Sequence, residues 1–280
     1  MSEGTIPIRR PLGSSGPSDP SKPKEQPRYP TDTVSLPTKG WFYPEGNPLA
    51  SGEVEIKQMT AREEDILANQ DLIRKGKVLD KLLQSLLINK DINTSDILIP
   101  DKNAIFVAIR RFAYGDKYPV NFTCPQCGEK ERLDINLAEL KDKEINIETL
   151  PKGQNNFSFT LPKSGTILTY KILNQADEDA VDKELAGLKK LNKDSSNELT
   201  TRLKYVITSI NGNSDKEIIR KFVDEEFLAV DARAFRAFMK NNTPDIDMQF
   251  DFKCSNSNCE HERRMVIPVG ASFLWIDLET

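Results

Sequence analysis

The chain has 280 residues, a mean hydropathy of -0.52, 29% charged residues and a net charge of -4 with a sequence pI near 5.4. It has enough apolar residues for one or two cores, but no run near the ~18 apolar residues of a membrane span. Nor does it carry the lysine and arginine excess that non-specific nucleic-acid binding draws on. Its short basic spots, Arg110 with Arg111, Lys189 with Lys190 and Arg263 with Arg264, sit among acids or apolar residues and read as solvated faces.

Residues 1–33 place Pro7, Pro11, Pro17, Pro20, Pro23, Pro27 and Pro30 among serines, glycines and lysines. Such a composition buries little and predicts a disordered or extended arm with no secretory apolar stretch. A reducing cytoplasm follows as the expected setting, where cysteines serve more often as thiols or metal ligands than as disulfides. Order is expected from about Val34. The segment 34–116 opens with turn chemistry around Trp41, Phe42 and Tyr43, which read first as core and second as partner-binding anchors. Val54 and Ile56 then alternate with charge as in a half-buried strand.

Three helices are expected next. TAREEDILANQDLIRKG has Thr60 and Glu63 spaced as a capping box and Gly76 as exit. KVLDKLLQSLLIN repeats apolar pairs every four residues. DKNAIFVAIRRFAYG takes Asp101 as cap and Gly115 as stop. Residues 117–140 switch to period two, a hairpin with Cys124 and Cys127 at its tip. Within 141–244, FSFTLPKSGTILTYKIL predicts a second hairpin turning at Lys163, Ser164 and Gly165. Helices follow: QADEDAVDKELAGLKKLN, NELTTRLKYVITSING through Ile210, SDKEIIRKF with a Ser214/Glu217 capping box, and DARAFRAFMKN. Residues 245–270 return to strands around Cys254 and Cys259, and 271–280 form an apolar tail, SFLWIDLE, with Phe273 and Trp275. The fold class is α+β.

All four cysteines of the chain fall in two pairs, FTCPQCGE and FKCSNSNCEHE, each in a strand-turn-strand context. Thiolates two to four residues apart on a tight turn can face one zinc ion, so the two hairpins predict a zinc-ribbon-like clasp closed across the long insertion. Its ligands would be Cys124, Cys127, Cys254 and Cys259, and four thiolates leave no open position for catalysis. Two other readings stay open: free packed thiols and a redox pair, which would want a helix after its first cysteine. His261, the only histidine, is a further candidate ligand, read by default as a solvated turn residue. No phosphate loop, dinucleotide fingerprint or deaminase motif is present in the sequence, so no enzyme is expected.

The stretches LPTKGWFYPEG, GEVEIKQMTAREEDILANQDLIRKGKVLDKLL, DKNAIFVAIRRFAYGDKYPVNFTCPQCG and FLWIDLE together resemble the baseplate proteins of T-even-like contractile-tailed bacteriophages, and most of all their hub subunits. The resemblance runs from about Leu36 to the C-terminus. It implies a structural or assembly role in the central hub of the tail, in the virion and, during assembly, in the host cytoplasm. Its implied partners are other hub or tail subunits, with neither nucleic acid nor membrane, and a homo-oligomer stays open. The arm and the aromatic segments, including Trp41, Phe42, Tyr43, Phe273 and Trp275, would contact those neighbours. The alternative from the residues alone is a nucleic-acid-binding zinc ribbon, for which EHERRM offers a little positive charge.

Overall fold

The structure is a computed structural model that describes residues 29–191, 197–267 and 271–274. It mixes helices with short antiparallel strands around one continuous apolar core that runs from Val34 to Leu274. Of the expected arm, residues 1–28 lie outside the described part. Thr31–Ser35 form strand β1, three residues ahead of the expected start of order, because β2 offers a pairing partner back to Thr31 opposite Lys57. Strand β1 pairs antiparallel with β2, Glu53–Lys57, aligning Val34 with Val54.

The loop between them is held by close backbone contact. Gly40 has φ +70°, and a Cβ there would lie 2.6 Å from the Ala50 carbonyl oxygen; Gly52, at φ +80°, meets the Lys39 carbonyl at 2.8 Å. Only glycine fits both the left-handed backbone and the lack of space. This packing carries Phe42 and Tyr43 inward, at 2% and 4% exposure.

The first expected helix is two: α1, Ala61–Leu67, and α2, Gln70–Arg74. The break falls at Asn69, whose side chain accepts the N–H groups of Asp71 and Leu72 and so caps a new start in mid-segment. The capping box at Thr60 and Glu63 is present. Helix α3, Val78–Leu86, buries Val78, Leu82, Leu83 and Leu86, the stripe its spacing predicts. Among the described residues four α-helices therefore precede the first cysteine, the last being α4, Ile99–Tyr114, which ends at Gly115.

Asp101 is not the cap of α4. The helix starts two residues earlier, after Leu98, with Pro100 in its first turn, where a missing N–H costs nothing. Asp101 is instead fully buried and gathers the aromatic loop: it accepts the Thr38 N–H at 3.1 Å, the Thr38 hydroxyl at 2.7 Å and the Tyr43 hydroxyl at 2.7 Å. Tyr43 in turn accepts the Leu98 N–H at 2.9 Å. Burial pushes the Asp101 carboxyl up to about 6 against the pull of these donors.

Strands β3, Lys117–Thr123, and β4, Lys130–Asn136, form the first cysteine hairpin. Strands β5, Phe157–Thr160, and β6, Ile167–Tyr170, form the second expected hairpin. Helices α5, Gln175–Leu191, and α6, Glu198–Val206, follow. The helix expected to reach Ile210 stops at Val206, and Ile207–Ile210 become β7, a third strand beside β6. Ile207, Thr208 and Ile210 are β-branched and suit a pleated surface, so pairing overrides the helical spacing.

Helix α7, Lys216–Lys221, is capped by Asp215 rather than Ser214, with the Asp215 side chain accepting the Glu217 N–H. Helix α8, Ala229–Asn242, lies against the sheet through Phe235 and Phe238, which meet the rings of Phe159 and Tyr170. Its buried Asp231 accepts the N–H groups of Lys163 and Ser164 and so fastens the β5–β6 turn. Strands β8, Gln249–Lys253, and β9, Glu262–Val266, make the second cysteine hairpin, and α9, Ala271–Leu274, ends the described chain.

Candidate metal centre

Each cysteine pair sits where a two-stranded ribbon reverses. Strand β3 delivers Cys124, whose N–H donates to the Glu129 carbonyl at 2.8 Å while its own carbonyl accepts the Gly128 N–H at 2.9 Å. Gly128, at φ +77°, lets the turn leave for β4. Beyond β8, the Cys254 N–H donates to the His261 carbonyl at 3.0 Å and the Cys259 N–H to the Asn256 carbonyl at 2.8 Å. Both turns thus present two sulfurs on one side.

The ribbons face each other across a small core of their own. Phe122 and Phe252 pack with ring centroids 4.3 Å apart, and Leu133, Phe250 and Met265 surround the cysteines. A direct bond joins the second turn to the first hairpin, the Ser255 N–H donating to Glu131 Oε1 of β4 at 2.8 Å. The chain thereby brings together residues more than 120 positions apart.

All four Sγ atoms lie within 4.8 Å of one another. Cys124 faces Cys259 at 3.9 Å and Cys127 faces Cys254 at 3.5 Å, each contact crossing from one hairpin to the other. A disulfide would need ~2.05 Å, whereas a tetrahedron of sulfurs ~2.3 Å from a zinc ion has edges of ~3.8 Å. Cys124, Cys254 and Cys259 are buried and Cys127 is exposed, so the arrangement is compatible with an enclosed metal ion.

Burial raises the Cys124 thiol, yet the N–H groups of Cys127 and Gln126, together with the neighbouring thiols, bring it down to about 7. Burial pushes the Cys254 thiol up. Cys259 is drawn down by the His261 N–H, but burial and the Cys127 thiol leave it raised. Four thiolates this close repel each other, and a bound cation removes that cost.

His261 does not join the four sulfurs. Its ring is half-buried, centred 6.5 Å from that of Phe252, and Nε2 is buried without a hydrogen-bond partner; the expected solvated turn residue is in fact packed against the ribbon. Two of the basic residues near it are matched by acids, Arg264 with Asp247 at 2.7 Å and Lys253 with Glu262 at 2.7 Å, while the exposed Arg263 makes no ion pair among the described residues.

The aromatic candidates divide. Trp41 is half-buried, donates from Nε1 to the Leu150 carbonyl at 2.9 Å and carries the Lys152 ammonium 5.2 Å above its ring. Phe42, Tyr43 and Phe273 are buried in this chain's own core and offer no face to a neighbour. Trp275 lies outside the described residues. Phe273 also holds a group from far back in the chain: its carbonyl accepts Arg110 Nη1 at 2.9 Å. The Arg110 guanidinium is buried between the rings of Tyr114 and Tyr118.

No described helix is long and apolar enough to cross a membrane. No curated protein and no solved structure matches the chain. The family model described as T4 bacteriophage base plate protein matches residues 43–275, and the chain belongs to that family.

Proposed function

We propose that this base plate protein is a structural subunit of the central hub of a contractile phage tail, stiffened by one zinc ion held by Cys124, Cys127, Cys254 and Cys259. The family match supports the base plate role, and the single observation that carries the zinc reading is the set of four sulfurs within 4.8 Å, with cross-hairpin spacings of 3.5 and 3.9 Å. Zinc would supply charge neutralisation and a cross-link in place of a larger core. Knuckle N–H groups would steady the thiolates, and the Phe122–Phe252 pair would keep water from the inner side. With four sulfur ligands there is no position for a reacting water, so the role is architectural and no catalytic residue is assigned.

In this reading the chain ahead of β1 forms the arm that contacts neighbouring hub or tail subunits, the expected arm being shortened because residues 31–33 pair with β2, and the ribbon regions 117–140 and 245–270 enclose the inserted segment 141–244. The nucleic-acid alternative draws little from the ribbon, where Lys253 and Arg264 are paired with acids and the chain as a whole is acidic. Metal analysis of protein purified without chelator is expected to give one zinc per chain, falling in proportion when Cys124 and Cys127 are both serine. Electron cryomicroscopy of assembled tails is expected to place the chain on the central axis of the base plate; density only at its periphery would remove the hub assignment and leave the zinc site standing.

A further inference from the structure

A cleft of ≈ 640 Å³ opens where β5 begins, β6 ends and the last turn of α8 approaches residues 144–151. Phe157, Tyr170 and Phe238 line it from the core, and Glu144, Asn241 and Asn242 stand at its rim. Several features of the cleft favour positive charge. Tyr170 is only 6% exposed, and its hydroxyl makes no hydrogen bond among the described residues. Burial alone raises it, to about 12, so it stays a neutral oxygen with lone pairs to offer.

Glu144 makes no ion pair among the described residues; Lys143 is engaged with Asp245 at 3.9 Å and Lys152 lies over the Trp41 ring, while Lys240, in the last turn of α8, is not among the lining residues. The C-terminal turn of α8 presents carbonyls beyond the last intrahelical bond, from the Thr243 N–H to the Met239 carbonyl, the negative end of the helix dipole. No lysine or arginine lines the cleft. Of the residues that line the cleft, Glu144 alone carries a formal charge, and it is negative. A cation would find a carboxylate, an unfilled phenol oxygen, helix carbonyls and aromatic faces.

We propose that this cleft receives one organic cation, the guanidinium or ammonium of an arginine or lysine borne on an extended segment of a neighbouring base plate protein. That the donor is a protein rests on the base plate reading; the preference for a cation rests on the cleft alone. Glu144 takes the charge at the rim, the Tyr170 hydroxyl accepts a donor at the bottom, and the Asn241 amide serves a flanking peptide group, the Asn242 Nδ2 being held by the Phe238 carbonyl at 2.8 Å.

The test titrates the full-length chain with the blocked tripeptide acetyl-Gly-Arg-Gly-amide, with its uncharged citrulline counterpart and with a neutral trisaccharide. The readout is the Tyr170 ring and Asn241 and Asn242 amide signals in NMR spectra. The arginine peptide is expected to shift these signals saturably, and citrulline at least about tenfold more weakly, the loss set by a charge-assisted bond. Glu144→Gln is expected to weaken the arginine peptide by a similar factor and Tyr170→Phe by several-fold. Glu148→Gln, on the same segment outside the cleft, is expected to change nothing. Equal response to citrulline, a response to the saccharide only, or no response to the arginine peptide would overturn the proposal. Because the probe needs no assembled particle, a chain located in the base plate that ignores the peptide would sink the cleft and spare the base plate reading.

Discussion

The cysteine clasp and the region around Asp101 solve the same problem by opposite means. In the clasp, β3 has no buried residue and β9 none, so the two ribbons bury little beyond one small cluster. Around Asp101, Leu36, Phe42, Leu49, Ile97 and Phe106 are nearly inaccessible, and the polar atoms they enclose are satisfied by one another. A thin two-stranded ribbon cannot bury enough surface to be stable alone; it needs a cross-link, and four convergent sulfurs offer one. The dense region needs none, but it depends on every buried polar group keeping its partner.

The largest expected effect therefore lies in the clasp. Structural zinc contributes on the order of 10 kcal/mol in small zinc domains, so on the proposed zinc reading a chelator, or changing Cys254 to serine, is expected to disorder residues 117–136 and 249–266 while the Asp101 region stays folded. Hydrogen exchange followed residue by residue checks this, and equal loss of protection in both regions would erase the contrast. Next comes Asp101→Ala, which orphans the Thr38 N–H and the Tyr43 hydroxyl and is expected to cost on the order of 3 to 5 kcal/mol in chemical unfolding.

Acid titration separates two buried carboxylates of the dense region. Glu63 accepts Lys57 Nζ at 2.7 Å, the Ser85 hydroxyl at 2.7 Å and both donors of Thr60. Burial raises it, but these partners bring it from 4.5 down to about 2. Its folded value is depressed, so its stabilisation is full above 4.5 and is lost as pH falls towards 2. Asp101 is raised from 3.8 to about 6, so its contribution is present below 3.8 and is lost as pH rises through 6. Unfolding measured across pH 2–7 is expected to lose the lower slope in Glu63→Gln and the upper slope in Asp101→Asn. The smallest effect is at the α1–α2 break, where Asn69→Ala removes a cap and is expected to cost about 1 kcal/mol.

Much of this was legible because the physics was local. The capping box at Thr60 and Glu63, the stripe of α3 and the period-two hairpins all follow from neighbours within one or two turns. The convergence of Cys124, Cys127, Cys254 and Cys259 could be read from matched strand contexts despite their separation. What escaped was set from a distance. Asp101 looks like a helix cap, and only the incoming Thr38 and Tyr43 make it a hub of buried bonds. Ile207–Ile210 continue a helical spacing until β6 offers a partner. Phe42 and Tyr43 are core, as their first reading had it, whereas Phe273 looks like an interface aromatic until the core closes over it, and Tyr170 gives no sign of its unfilled oxygen.

The central claim is that four sulfurs from two distant hairpins share one ion. Zinc K-edge X-ray absorption on protein purified without chelator tests it most directly. One zinc per chain with a single shell of four sulfurs at ~2.3 Å is the predicted result. A spectrum dominated by nitrogen or oxygen neighbours, or protein that carries no zinc, would contradict it.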